Sequence, residues 1–328
     1  MGIIKQRRIL NKTIRNAKTI FLMAHKELDL DALGSCIGMY MILSKRKKDC
    51  YIIIDDKTHE LGVEKVLIEL EGCINTIKSE DIDKYLNKKD SKNLLIVLDT
   101  NKKDLVQSPD ILKLFKNKLI IDHHDIGKTT IKDGILINDT EVSSTCEMIT
   151  ELIEHYDVEI EPYYATVLLS GIVLDTNNFT LKTNPETFYA AYYLSSLGAS
   201  AKKVQYLLKQ DINEYTERQK LMTGIQTING KIALTKATPY TIYRREDLAK
   251  AADTLLFFNN IEASFVIGKI GKDVIGISAR SLGNYDINNI LSKLGGGGGT
   301  YNGAARFENT TISKVEQQLI EAIKEDSE

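Results

Sequence analysis

Residues 19–31 read TIFLMAHKELDLD, an apolar run that ends abruptly in histidine and aspartate. The part from Thr19 to Ala24 has the length and composition of a buried strand. Residues 31–44 then repeat apolar side chains at helical spacing, which predicts a helix. A buried strand followed by a polar cluster and a helix is typical of α/β folds, in which ligands bind at the carboxyl ends of the strands.

Apolar runs of the same kind recur through the first two thirds of the chain. Strands are predicted at 51–54, 93–98 and 118–121, and helices at 144–155, 164–174, 185–197 and 202–208. Because these strands lack polar alternation, we expect a parallel sheet that is covered on both faces.

The pattern changes near residue 213. The sequence predicts a connecting helix over 215–228, strands at 231–235, 240–244, 263–269 and 273–279, a helix before Ile261 and a last helix over 312–324. The expected architecture is therefore α/β, with a larger domain over 1–212 and a smaller α+β domain over 213–328. This agrees with a length of 328 residues, which favours two domains.

Composition excludes several classes of protein. Hydrophobic residues make up 43% and charged residues 27%, which is typical of a globular chain and not of a disordered or fibrous one. The net charge of −2 argues against duplex nucleic acid as a partner held by bulk charge. Four cysteines without a CxxC pair are expected to be free, buried thiols, as in a reducing cytoplasm; they are Cys36, Cys50, Cys73 and Cys146.

No apolar run approaches the roughly 20 residues that a membrane span needs, so a cytoplasmic chain is expected. The basic N-terminal stretch is predicted to be a helix packed on the first domain. A homodimer is left open.

Aspartate and histidine cluster where four apolar runs stop; these residues are His25, Asp29, Asp31, Asp99, Asp122, His123, His124 and Asp175. One such residue alone is usually a turn or cap residue. Together, the acidic residues would repel one another unless a cation neutralised them. Histidine with aspartate and no cysteine suits Mn²⁺, and more than four ligands favour two ions about 3.5–4 Å apart. The other histidines, His59 and His155, have no such neighbours in sequence and are interpreted as structural.

Three further features point to an anionic ligand, each with a structural alternative. Ser144 and Glu147 have the spacing of a capping box, and the hydroxyl-rich helix start with Thr145 is compatible with facing a phosphate. The glycine run 295–299 is interpreted as a ligand loop in preference to a flexible linker. Ser278 and Arg280 end a predicted strand, where arginine is suited to a phosphate clamp or to a surface ion pair.

These motifs resemble those of a known family. HKELDLDALGS, VLDT, IDHH and GIVLDT are similar to the four motifs of the DHH phosphoesterase superfamily, and the later part resembles the DHH-associated domain. AHKELDLDALGSCIG, SSTCEMITELI, IVLDTNNFTLKT and LGGGGG resemble the catalytic half of GdpP-type cyclic-di-AMP phosphodiesterases. That family normally carries two transmembrane helices, a PAS domain and a degenerate GGDEF domain upstream. The motifs here therefore correspond to a stand-alone soluble form or to a part of a longer protein.

The resemblance implies a two-metal phosphodiesterase with an active-site cleft between its domains. One Mn²⁺ would be held by His25, Asp29 and a bridging Asp99, and the other by Asp31, Asp99, His123 and Asp175. Asp122 would orient the histidine pair, and His124 would act near the phosphate. The substrate would be a cyclic dinucleotide, or a short linear oligonucleotide, bound by the following residues: Ser144, Thr145, Ser278, Arg280, Gly297, Gly298, Gly299, Thr300 and Asn302.

Two positions depart from the family pattern. The family's glycine loop usually ends in a histidine that touches the substrate phosphate, and here Thr300, or Gly299 in another register, takes its place. Asn101 replaces a histidine that commonly follows the aspartate-threonine pair. The alternatives to cyclic di-AMP hydrolysis are hydrolysis of short linear nucleotides such as pApA, as in nanoRNase and pAp-phosphatase relatives, and a nucleotide sensor with weak turnover.

Overall fold

The computed structural model describes residues 2–55, 60–87 and 89–327. The chain divides after Lys209 into two compact units. The first unit holds these helices and strands, besides short 3-10 turns: α1 (Arg7–Asn16), β1 (Thr19–Met23), α2 (Leu30–Lys45), β2 (Asp49–Ile53), α3 (Leu61–Glu69), β3 (Thr76–Ile77), β4 (Asn93–Leu98), α4 (Pro109–Leu114), β5 (Lys118–Asp122), β6 (Ile135–Asn138), α5 (Thr145–His155), α6 (Pro162–Asp175), α7 (Pro185–Ser196) and α8 (Ala201–Leu207).

Within the described part of the first unit, six strands form one parallel sheet in the order β3-β2-β1-β4-β5-β6. Alternate residues of β1 enter two different cores: Ile20 and Leu22 pack with α2, α5 and α6, while Phe21 and Met23 pack on the opposite face. This confirms the prediction of a parallel sheet covered on both faces, since every residue of the central strands β1, β4 and β5 is buried. The strand order reverses between β1 and β4, where open α/β sheets form ligand sites.

The second unit consists of α9 (Ile212–Gln219), β7 (Gln226–Ile228), β8 (Ile232–Lys236), α10 (Arg245–Leu255), β9 (Ala263–Gly271), β10 (Val274–Ser281), α11 (Ile287–Ser292), β11 (Gly297–Gly298), β12 (Asn302–Glu308) and α12 (Ile312–Ser327). Its strands, as far as the structure describes them, form a mixed sheet in the order β11-β12-β10-β9-β8-β7. Separate apolar cores lie on its two faces, one with α11 and α12 and one with α10. The expected smaller α+β unit is therefore present.

Two predictions for the second unit are wrong. The helix predicted over 215–228 ends at Gln219 and continues only as a 3-10 turn over Lys220–Met222. Gly224 then adopts a left-handed φ of +86°, and 226–228 pairs as β7 instead. The strand predicted over 240–244 is reduced to one bridge between Ile242 and Lys269. Pro239, which has no backbone N–H to donate, precedes that segment, and α10 begins directly after it.

The first unit also contains elements that the apolar runs did not indicate, namely α3, β3, α4 and β6. The basic N-terminal stretch is helical as predicted, with Leu10 and Ile14 buried in the core. Cys73 is exposed, whereas the other three cysteines are buried as expected. His155 is exposed and packs on Tyr156, and His59 lies outside the described residues.

Candidate metal centre

Three neighbouring strands of the parallel sheet end in acidic or histidine residues at the same edge. His25 follows β1, Asp99 follows β4, and Asp122 closes β5 just before His123. Strands β1, β4 and β5 are adjacent and parallel, so these residues meet at the carboxyl edge, as the sequence predicted.

Three more carboxylates reach this cluster from helix ends. Asp29 is the N-cap of α2, and its Oδ1 accepts the N–H of Ala32 at 2.9 Å. Asp31 lies in the first turn of that helix, and Asp175 is the last residue of α6. Capping therefore fixes Asp29 while leaving its other carboxylate oxygen available.

One potential ligand group surrounds His25. Its Nε2 lies 3.3 Å from Asp99 Oδ2 and 3.6 Å from Asp29 Oδ2. These three side chains bring one ligand atom each into a common space, which makes them suitable to hold a cation.

A second group surrounds His123, whose Nε2 lies 3.1 Å from Asp175 Oδ2 and 4.0 Å from Asp31 Oδ2. The same nitrogen is 3.5 Å from Asp99 Oδ1. Asp99 therefore directs one oxygen toward each histidine, which is the arrangement required of a carboxylate shared by two ions.

The backbone of Asp99 adopts an unusual conformation. Its φ is 61°, in the left-handed region, and its N–H donates to the carbonyl oxygen of Ile121 at 3.0 Å. The Oδ1 atom also accepts the hydroxyl of Thr145 at 2.9 Å. A non-glycine residue in this region costs about 1–3 kcal/mol and is frequently found at functional sites. The strand end is thus held in a strained form that directs this carboxylate into the cluster.

The start of α5 binds Asp31. The backbone N–H groups of Thr145 and Cys146 each donate to an oxygen of that carboxylate at 2.8 Å. Ser144 is the N-cap of α5, and both Ser144 and Thr145 are fully buried. The two residues were expected to contact substrate, but their hydrogen bonds cap the helix and position Asp31 and Asp99. The helix N-terminus holds a protein carboxylate in the place where a phosphate was predicted.

Asp122 anchors the second histidine of the DHH stretch. Its Oδ1 lies 2.8 Å from Nδ1 of His124, and its Oδ2 accepts the side-chain amide of Asn101 at 2.6 Å. The same amide group lies 3.1 Å from the backbone carbonyl oxygen of His124, to which it also donates. In the sequence Asn101 was only a departure from the family pattern, whereas in the structure it is fully buried and supports the Asp122–His124 pair. Its adjacency to Asp99 and Thr100 was the one available signal.

Burial and mutual proximity perturb the charges of the cluster. Burial, followed by the neighbouring carboxylates, raises the pKa of Asp31 well above its ordinary value, and burial also raises the pKa of Asp175. The pKa of Asp99 is lowered, since His123 and His25 outweigh its burial. Burial alone would lower the pKa of both histidines, but the adjacent carboxylates raise it overall. Burial thus works against the ionised form of Asp31 and Asp175, while the carboxylates favour the charged form of the two histidines beside them.

The residues of the cluster fit divalent ions. Both ring nitrogens of His123 are buried: Nδ1 has no hydrogen-bond partner within the described residues, and Nε2 lies near carboxylate oxygens without the alignment of a hydrogen bond. A buried imidazole normally has such a partner or binds a metal. The donor atoms are carboxylate oxygens and imidazole nitrogens, a set that favours borderline-hard ions over thiolate-bound zinc.

The second unit places several predicted substrate residues on one stretch of its sheet. Arg280 on β10 pairs across the ladder with Asn302 on β12. The Nε of Arg280 lies 2.6 Å from Asp253 Oδ1, so this guanidinium already has a carboxylate partner. Ser278, two residues earlier on β10, is buried. Of the two roles considered for Arg280, a phosphate clamp and an ion pair, this structure shows the ion pair.

The glycine run forms a tight hairpin. Gly297 and Gly298 pair with β12, and Thr300 is exposed beyond them. The N–H groups of Gly296, Gly298 and Gly299 donate to Leu291 O, Asn288 Oδ1 and Asn302 O at 2.9, 3.2 and 2.8 Å. These three amides were predicted to be available to an anion, but each is engaged within the protein.

We expect Gly298→Ala to destabilise the chain by about 1–3 kcal/mol, the usual cost of forcing extra atoms into a packed site. A Cβ at Gly298 would overlap the backbone of Asn302 and Gly303. Gly297→Ala is the matched control, because the nearest atom to its Cβ would be Asn288 Oδ1 at 3.8 Å. Urea unfolding of both variants tests this; equal midpoints would show that the hairpin is not closely packed.

The chain matches the models of two known domain families. The chain matches the DHH family, N-terminal domain, over residues 19–172 and the DHHA1 domain over residues 229–326. It is 36% identical over 318 residues to "Cyclic-di-AMP phosphodiesterase PdeA" of Listeria monocytogenes, covering 96% of this chain and 48% of that relative. The chain thus spans about half the length of PdeA.

A relative and a solved structure match over most of their own length. "Bifunctional oligoribonuclease and PAP phosphatase NrnA" of Thermus thermophilus is 26% identical over 94% of this chain and 90% of NrnA. The crystal structure of an exopolyphosphatase-related protein from Bacteroides fragilis has a TM-score of 0.78, with 22% identity over 98% of this chain and 97% of that chain, which shows a shared fold. Among the described residues, no helix is both long and apolar enough to cross a membrane. With both domain matches in place, and together covering most of its length, the chain belongs to the DHH family and carries a DHHA1 domain after its DHH domain.

Proposed function

We propose that this chain is a Mn²⁺-dependent phosphodiesterase that hydrolyses cyclic di-AMP to the linear dinucleotide pApA. The observation that carries the proposal is the cluster in which Asp99 directs one oxygen to His25 and the other to His123. The similarity to PdeA over 96% of this chain supports the choice of substrate.

The proposed ions have defined ligands. His25, Asp29 and Asp99 would hold one, and Asp31, Asp99, His123 and Asp175 would hold the other. When bound, two such ions supply Lewis-acid stabilisation of a phosphoryl group and lower the pKa of water. Thr145 and the start of α5 keep two of these carboxylates oriented, through the hydrogen bonds to Asp99 and Asp31.

His124 is proposed to contact the scissile phosphate. Its side chain is 47% exposed, whereas that of His123 is 3% exposed. Because Asp122 engages Nδ1, the opposite ring nitrogen, Nε2, is the one available to a phosphate oxygen or a leaving group. Asn101 and Asp122 act as positioning residues, since they hold this ring without reaching the substrate themselves.

The second unit is proposed to bind nucleotide through Arg280, Asn302 and the hairpin that ends in Thr300. Arg280 would retain its bond from Nε to Asp253 and use its remaining guanidinium donors for a phosphate. The N–H groups of Gly296, Gly298 and Gly299 already donate within the protein, so the glycine backbone would contribute less to phosphate binding than the sequence suggested.

Product analysis tests the proposal. The protein is incubated with Mn²⁺ and, separately, with cyclic di-AMP, pApA or cyclic di-GMP, and the products are separated chromatographically over time. We expect pApA from cyclic di-AMP, at a higher kcat/KM than for cyclic di-GMP. Asp110→Asn, which changes an exposed carboxylate on α4, serves as the active control.

A linear substrate is the second candidate, favoured by the similarity to NrnA over most of both chains and by Thr300 in the loop position. In that case pApA would be converted to AMP with a higher kcat/KM than cyclic di-AMP. The same assay distinguishes the two functions, and binding of cyclic di-AMP without any product would instead indicate a sensor.

We expect Thr300→His to raise kcat/KM toward cyclic di-AMP by about tenfold, the lower end of what one hydrogen bond to a charged group contributes. Thr300 is exposed at the hairpin tip, so the larger ring can be accommodated. Tyr240→His, at an exposed position of another loop, is the control. If kcat/KM is unchanged in Thr300→His and also in Arg280→Ala, the second unit does not bind the phosphate.

A further inference from the structure

A cavity lies at the opposite edge of the parallel sheet from the metal centre. It measures about 630 Å³ and is bordered by α1 and by the amino-terminal ends of β4, β5 and β6. This volume is within the range of about 300–1,000 Å³ that is usual for small-molecule sites. No residue of the proposed catalytic machinery lines it.

The cavity is lined by an excess of positive charge. Lys12, Lys116 and Lys118 face it, with Asp133 as the one acidic residue among those that line it. Lys12 forms no ion pair or side-chain hydrogen bond within the described residues. The segment that supplies Lys12 is itself basic, because residues 1–26 contain seven lysines and arginines and no aspartate or glutamate. Such a local charge attracts anions even though the net charge of the chain is −2.

Lys118 is the most informative of these lysines. Its side chain is only 4% exposed, and its Nζ lies 2.6 Å from Asp133 Oδ2. An ammonium group has three donors, and that carboxylate is the one partner recorded for it in the described part of the chain. Asp133 is 74% exposed and is not itself anchored in the core. A buried ammonium with unused donors beside a cavity is suited to bind an oxyanion.

The remaining walls add apolar and amide groups. Ile9 from α1 and Ile135 from β6 offer apolar surface, and both are partly exposed to solvent. Asn16, Ser91 and Asn117 supply hydrogen-bonding groups on the same walls. A ligand that combines an anionic group with a flat, heteroatom-rich ring would use both kinds of surface, whereas free phosphate would use only the lysines.

We propose that this cavity is a second binding site, separate from the metal centre, for a nucleoside phosphate. The phosphate would lie against Lys12 and Lys118, and the base would lie against Ile9 and Ile135. The site could hold a regulatory nucleotide while the catalytic residues at the other sheet edge remain unblocked.

The test is isothermal titration calorimetry of the full chain with AMP, adenosine and inorganic phosphate as separate probes. EDTA is present throughout, which removes metal-dependent binding at the aspartate–histidine cluster. We expect AMP to bind at least about tenfold more tightly than either adenosine or phosphate. Equal affinity for AMP and adenosine would exclude the role of the lysines, and equal affinity for AMP and phosphate would exclude the role of the apolar walls.

Variants locate the site. Lys12→Ala combined with Lys116→Ala is expected to weaken AMP binding by about ten- to a hundredfold, the loss of one charge-assisted hydrogen bond or more. Asn16→Trp, at an exposed position on the rim, should weaken it by filling the cavity without changing charge. Lys202→Ala, an exposed lysine on α8, is the matched control and should bind as the unaltered chain does. AMP binding that persists in both cavity variants would overturn the proposal.

Discussion

Asp99→Asn is expected to release both metal ions and to reduce turnover at least about a thousandfold, since removal of one transition-state donor alone costs about 10²–10³. Asp99 is the carboxylate that approaches both His25 and His123. An amide offers one weak oxygen in place of two charged ones, so neither ligand group remains complete.

The choice of asparagine follows from the backbone. Asp99 has a φ of 61°, a region that asparagine tolerates and alanine does not. Asp99→Ala would add backbone strain to the loss of charge, whereas Asp99→Asn isolates the charge. Turnover is measured with Mn²⁺, and bound metal is measured by mass spectrometry after gel filtration, with Asp110→Asn as control. Two tightly bound ions per chain in Asp99→Asn would refute the shared-ligand assignment.

The edge of the sheet at which the site lies was predictable for a simple physical reason. Parallel strands that are buried on both faces must be apolar throughout, so the polar residues that follow them mark their ends. His25, Asp99 and Asp122 are found in this way, because β1, β4 and β5 are adjacent and point in the same direction.

Contacts between distant segments were not predictable from local pattern. Asn101 donates to Asp122, and Thr145 donates to Asp99, across 21 and 46 residues of sequence. Ser144 and Thr145 match a helix cap and a phosphate site equally well in sequence. Only the fold shows that a protein carboxylate, Asp31, lies at that helix start.

Glycine is ambiguous for a related reason. A run of glycines is compatible with an anion-binding loop and with two backbones in close contact, since both require a missing Cβ. In β11 the second requirement applies, because a Cβ on Gly298 would overlap β12. Strand prediction was limited in a similar way at 240–244. The β-rich composition of this segment predicted a strand, but it forms one bridge and α10 begins directly after it.

The second large effect concerns stability. Mn²⁺ at about 100 times its Kd should stabilise the folded chain by about 2.7 kcal/mol, if it does not bind the unfolded chain. For a unit of this size, that corresponds to an increase in Tm of roughly 5–10 °C. The measurement is thermal unfolding with EDTA and with increasing Mn²⁺, followed by circular dichroism.

Asp175 is expected to affect stability in two opposite ways: its buried carboxylate destabilises the chain without metal and stabilises it by binding Mn²⁺. Asp175→Asn should separate these two effects. Burial raises the pKa of Asp175, so without metal the ionised carboxylate is less favourable in the folded chain than in the unfolded one. A neutral amide removes that cost, and Asp175→Asn in EDTA should therefore be at least as stable as the unaltered chain. It also removes a ligand 3.1 Å from His123 Nε2, so the increase in Tm with Mn²⁺ should become smaller. An equal increase in both proteins would mean that Mn²⁺ stabilises the chain at some place other than this cluster.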